Sequence, residues 1–157
     1  MKWITRARAK VDRVACPWLI SRFIDPKPEF IYVSAEQVLA EAQIQGATPY
    51  DIPDIELGHH GSECSFDAFM DKYGLKGVDP ALDKLALIVR GADTSDKDLT
   101  PESRGLDALA GGFQKMEITD HQKLELEFPV YDAFYIFCGG RLPVARSLAL
   151  ATPTTQK

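Results

Sequence analysis

The stretch from Asp79 to Val89, Asp-Pro-Ala-Leu-Asp-Lys-Leu-Ala-Leu-Ile-Val, constrains this chain more than any other. Asp79 before Pro80 supplies an N-cap side chain, followed by the one residue whose fixed φ and missing N–H suit the first helical position. Leu82, Leu85, Ala86 and Val89 then fall on one face at helical spacing, and Leu87 and Ile88 widen the apolar stripe. A helix apolar over so much of its circumference is central and must be covered on several sides. The chain has 157 residues to supply that cover, which suffices for one domain with a real core and is too few for two.

The covering elements can be read in order. Lys2 to Arg6 is short and β-prone. Asp12 is a candidate cap, and Pro17 suits the first turn of a helix carrying Trp18, Leu19, Ile20, Phe23 and Ile24, which Asp25-Pro26-Lys27-Pro28 ends. Phe30 to Val33 is a second strand. Ser34 and Gln37 match a capping box opening a helix that runs to Gln45, with Gly46 beyond its end. Thr48 to Pro53 is held extended by its prolines. Thr100-Pro101 starts a further helix through Leu106, Leu109, Ala110 and Phe113, weakened by Gly105, Gly111 and Gly112. Thr119 and Gln122 form a second capping box, in whose first turn Asp120 and His121 read as surface residues. Pro129 interrupts, and Val130 to Cys138 is a strongly apolar helix, with a strand as the alternative, stopped by Gly139-Gly140. The expected fold class is therefore α+β: a mostly helical compact single domain with a small β-sheet over residues 1–146, followed by a disordered tail over 147–157.

A formal charge of -5 disfavours a chain whose main task is to coat nucleic acid or an anionic membrane. The one basic cluster, Arg6, Arg8, Lys10 and Arg13, is small. Cys16, Cys64 and Cys138 are an odd count without a C-x-x-C pair, which argues against a disulfide framework or a zinc knuckle and fits a reducing compartment. Neither a signal-peptide core nor a bilayer-length apolar run is present, so the expected location is cytoplasmic.

The chemistry concentrates between Leu57 and Asp67, which holds His59, His60, Glu63, Cys64 and Asp67 between glycines. Ser65 reads as the N-cap of a helix on which Phe66, Phe69, Met70 and Tyr73 repeat, with Gly74 as its stop. Cys64 and Asp67 then flank a helix N-terminus, where the dipole favours anions and thiolates, and Cys64 is the expected reactive thiol. His59 and Asp67 are expected to share a divalent metal ion, Zn, Mn or Fe, since imidazole with carboxylate suits these better than a soft ion. Asp71, one turn after Asp67, reads as solvated surface. Asp93 is expected to reach the ion from a polar loop, Arg90 to Thr94, delivered by the buried helix. Arg13, Arg22 and Arg90 are candidates for holding a small oxyanion.

Four separated blocks carry a family resemblance. The run Val11 to Asp25, the pattern H-x-G-x-x-C-S-F-D from His59 to Asp67, Ile88 to Asp93 and Tyr131 to Tyr135 together resemble the chromate-resistance domain of ChrB-type proteins, over about residues 2 to 138. The resemblance implies a role in chromate resistance, including chromate-responsive control, and no defined reaction. Longer relatives carry an added DNA-binding or rhodanese-like region whose activities are not carried over to these residues. Three readings follow. One is a metal-dependent or redox enzyme of oxyanion stress. Another is a metal- or chromate-sensing module without turnover. The third is a structural partner that forms a homo-oligomer through its aromatic C-terminal helix. Specific nucleic-acid binding by this chain alone is not expected.

Overall fold

The structure is a computed structural model that describes residues 1–142; the tail expected over 147–157 lies outside the described residues. Its order is β1 (Lys2–Arg6), α1 (Val11–Leu19) continued by a π-helical segment (Ile20–Ile24), β2 (Glu29–Val33), a 3₁₀ turn (Ala35–Gln37), α2 (Val38–Gln45), β3 (Thr48–Pro49), α3 (Ser65–Lys72), α4 (Pro80–Asp93), α5 (Ser103–Lys115) and α6 (Asp120–Phe137). The three strands form one parallel sheet in the order β2-β1-β3, with Ile4 facing Ile31 on one side and Pro49 on the other. Parallel neighbours need crossover connections, and α1 and α2 provide them. The architecture is the expected mostly helical α+β domain with a small sheet.

As its composition demands, α4 is covered on several sides. Asp79 caps it through bonds from the Ala81 and Leu82 N–H groups, and Leu82, Leu85, Ile88 and Val89 are buried among residues of α1, α3, α5 and α6. Gly91 lets the start of α5 approach α4 closely: a Cβ there would run into the Ser103 side chain, whose hydroxyl already donates to the Ile88 carbonyl at 2.9 Å.

Four expectations from the sequence need correction. Pro17 lies inside α1, which begins at Val11. The missing proline N–H leaves the Arg13 carbonyl without its partner four residues on, and the Tyr32 hydroxyl donates to that carbonyl at 2.7 Å. Beyond Pro17 the helix widens into the π segment that reaches Ile24. Pro129 likewise does not interrupt α6, which runs unbroken from the Thr119/Gln122 capping box to Phe137. Burial of Leu124, Phe128, Tyr131 and Tyr135 against the core outweighs the single lost backbone bond. Ser34 makes no capping bond, and a 3₁₀ turn precedes α2. Finally, Arg90 to Asp93 are helical, so Asp93 is the last residue of α4 and not part of a loop.

Candidate metal centre

Four side chains from four places in the chain converge on one point. Asp12 lies in the first turn of α1, Asp51 follows β3, His59 is in the glycine-rich loop, and Asp93 ends α4. One ligand atom from each lies within 4.8 Å of all the others. His59 Nε2 is 2.9 Å from Asp93 Oδ2, 3.4 Å from Asp51 Oδ1 and 3.5 Å from Asp12 Oδ2. His59 and Asp93 are thus brought together as the sequence suggested. Asp12 and Asp51 are additions.

Local folding explains how such a group is held. The segment Asp51 to Gly58 folds back so that the Asp51 N–H donates to the Leu57 carbonyl at 2.9 Å. Gly58 is needed for that turn, because a Cβ there would stand 2.6 Å from the Ile52 carbonyl oxygen. Asp51 itself has φ +51°, a left-handed conformation that Asp tolerates better than most residues. On the far side, the Asp12 N–H donates to Asp93 Oδ1 at 3.3 Å, which ties the start of α1 to the end of α4.

Three carboxylates at this separation repel one another, and their surroundings decide where protons go. Burial, followed by repulsion from Asp93, pushes the Asp12 carboxyl well above the usual carboxylate range, against the hydrogen bond to His59. Burial also acts against Asp51, but bonds from His59 and Ser65 and the Arg13 guanidinium hold it below that range. The hydrogen bonds of His59, to Asp12 first and then to Asp51 and Asp93, push its pKa up to about 12. The protonated imidazole therefore stands as a positive charge among three carboxyl groups, where a bound cation would require it neutral. Asp12 is 1 % exposed and its second oxygen, Oδ1, has no hydrogen-bond donor among the described residues. A buried carboxylate oxygen without a donor costs on the order of 1–3 kcal/mol unless something outside the protein meets it.

The other candidates have different neighbours. Asp67 is the third residue of α3, where its Oδ2 accepts the Cys64 N–H at 3.0 Å and both its oxygens receive the Arg90 guanidinium, at 3.0 and 2.8 Å. Cys64, not Ser65, is the residue before the helix, and Asp67 closes this reciprocal cap. Asp67 is not among the four convergent residues. The Cys64 thiol is fully buried, and burial followed by the neighbouring Asp12 and Asp67 charges pushes its pKa up, the opposite of activation. Arg13 faces Asp51 at 3.3 Å, with Arg6 at 3.7 Å from the same oxygen. Arg22 forms a fork with Asp132 on α6, at 3.0 Å for each arm.

Of the two convergent residues absent from the sequence reading, one left a trace. Asp12 is flanked by Val11, Val14 and Ala15 in a helix buried along nearly its whole length, so its carboxylate had to be inside. An acidic residue amid apolar neighbours at a helix start signals more than a cap. Asp51 carries no comparable signal, since an Asp in a proline-rich stretch is an ordinary turn residue.

One side of the group is open. The His59 side chain is 45 % exposed, and it borders a cavity of about 340 Å³ lined also by Ser62, Arg90, Asp93, Thr94 and Ser95. A small polar molecule can reach His59 and Asp93 from there.

The profile of the family described as "ChrB, C-terminal domain" matches residues 3–138. This chain belongs to that family. The resemblance of its four sequence blocks to the ChrB-type domain is thereby borne out. All four convergent residues of this ChrB C-terminal domain lie within the matched span. Protein ChrB of Cupriavidus metallidurans is 29 % identical over 134 residues, which cover 85 % of this chain and 40 % of that protein. This ChrB C-terminal domain thus spans well under half of that relative's length. No solved structure matches it. No helix among the described residues is long and apolar enough to cross a membrane.

Proposed function

We propose that this domain binds one divalent cation through Asp12, Asp51, His59 and Asp93 and that the bound ion serves its part in chromate or related oxyanion stress. The observation that carries the reading is the Asp12 carboxyl: fully buried, 3.5 Å from His59 Nε2, facing two further carboxylates, and with one oxygen that no donor among the described residues satisfies. A divalent cation would replace the imidazole proton as the counter-charge of these carboxyls. The donor set is harder than the one read from the sequence, three carboxylates with one imidazole, which favours Mn or Fe over Zn. When bound, the ion supplies Lewis acidity and an exchangeable position for a small oxygen ligand.

The protein's own contribution is to fix that ion in a partly dry site. Arg13 and Arg6 offset the charge of Asp51 from behind, and the cavity bordered by Arg90, Thr94 and Ser95 gives a small oxyanion its approach. That open side favours handling of a small ligand over a closed structural site. Elemental analysis of full-length protein purified without an affinity tag, followed by assay of chromate-dependent turnover, tests the reading. Close to one equivalent of Mn or Fe is expected. Turnover supports an enzyme, chromate binding without turnover supports a sensor, and protein free of metal that takes none up refutes both.

A further inference from the structure

We infer that Ser65 is a positioning residue for the metal centre, holding two of its carboxylates from outside the coordination sphere; the inference rests on the proposed metal site. Ser65 is fully buried as the first residue of α3. Its N–H donates to Asp12 Oδ2 at 2.7 Å, and its hydroxyl donates to Asp51 Oδ1 at 2.6 Å. These are the same two oxygens that face His59 Nε2. One residue therefore orients a ligand from α1 and a ligand from the segment after β3, which are far apart in sequence and repel each other in space.

The clamp is rigid because its own supports are. Cys64 before it and Phe66 after it are buried in the core. The first turn of α3 is fixed by Asp67, whose Oδ2 accepts the Cys64 N–H while Arg90 from α4 grips both of its oxygens. Asp67 and Arg90, singled out in the sequence as a ligand and an anion holder, thereby act behind Ser65. The chain of contacts runs from Arg90 through Asp67 to the α3 N-terminus and on to Asp12 and Asp51. Asp51 is held at both oxygens, with Oδ2 facing Arg13 and Arg6, so loss of the Ser65 hydroxyl frees only the oxygen that points at the centre. A carboxylate loosened in this way must be reordered by the ion, which weakens binding without removing a ligand.

Calorimetric titration of full-length wild-type, Ser65→Ala and Ser65→Thr proteins with Mn2+ tests the inference, alongside thermal melting of each protein without metal. Ser65→Ala should weaken Mn2+ binding roughly 10- to 100-fold, the usual effect of removing a partner that orients a metal ligand. Ser65→Thr, which keeps the hydroxyl, should bind near the wild-type level. Wild-type affinity in Ser65→Ala, or a loss that Ser65→Thr fails to restore, overturns the positioning role while leaving the metal site standing. If Ser65→Ala does not fold, Ser65→Cys takes its place: its weak donor should give affinity below wild type, and unchanged affinity overturns the inference. Absence of binding by the wild-type protein is a different result, and it refutes the metal reading itself.

Discussion

Glu127 offers a quantitative check on how α6 is seated. Its side chain is 1 % exposed and Oε1 has no donor among the described residues. Burial pushes its pKa up from 4.5 to about 7, opposed only in part by the Lys123 ammonium. Because the folded-state value is the higher one, the folded protein holds the proton more tightly. The associated stability is fully present below the unfolded value and is lost as pH rises through about 7. At roughly 1.4 kcal/mol per pKa unit, the stability lost because the unfolded chain ionises Glu127 more readily than the fold does is about 1 kcal/mol at pH 5 and about 3 kcal/mol at pH 8. Glu127→Gln keeps the shape and cannot ionise. Denaturant unfolding of metal-free wild-type and variant proteins should therefore show the variant gaining on wild type by about 2–3 kcal/mol between pH 5 and pH 8. A difference between the two proteins that stays constant with pH would mean that Glu127 titrates as it does in water, and the argument from burial would fail.

Tyr32→Phe removes the hydroxyl that meets the Arg13 carbonyl opposite Pro17 and should destabilise the fold by about 1–2 kcal/mol in denaturant unfolding, whereas no measurable loss would mean that water serves equally well. Asp67→Ala strips Arg90 and the start of α3 of their partner and should cost about 3 kcal/mol or more of stability while the four convergent side chains remain present; complete loss of metal from a variant that still folds would make Asp67 a ligand after all. Timed alkylation with mass spectrometry should label half-buried Cys138 first and Cys16 and Cys64 only on unfolding; early labelling of Cys64 would restore it as a reactive thiol.

Elements set by strong local signals were legible in the sequence, and those set by tertiary partners were not. The Asp79-Pro80 start of α4 and the Thr119/Gln122 box of α6 need only neighbours in the chain, and both form as read. Pro17 and Pro129 were read as boundaries because a proline in isolation costs a helix bond. What rescues Pro17 is Tyr32 on β2, a contact that local sequence does not carry. The same division holds at the site. His59 stood out by residue type in a glycine-rich loop, and Asp93 by its place at the end of a buried helix. Asp67 seemed equivalent to them because it lies a short way from His59 in the chain, yet helical geometry turns it toward Cys64 and Arg90. Asp12 and Asp51 come from other parts of the chain, and only the tertiary fold brings them beside His59 and Asp93.

The most direct test of the account is Mn2+ titration of wild-type, Asp12→Asn, His59→Ala and Asp93→Asn proteins, each metal-free and shown to be folded. The four residues are read as sharing one ion, so wild type should bind a single equivalent. Each substitution removes a ligand, and each should weaken binding by more than the roughly 10- to 100-fold effect of losing a partner outside the coordination sphere. Wild-type affinity retained in Asp12→Asn and His59→Ala would contradict the account, leaving an imidazolium held by three carboxylates and no metal centre.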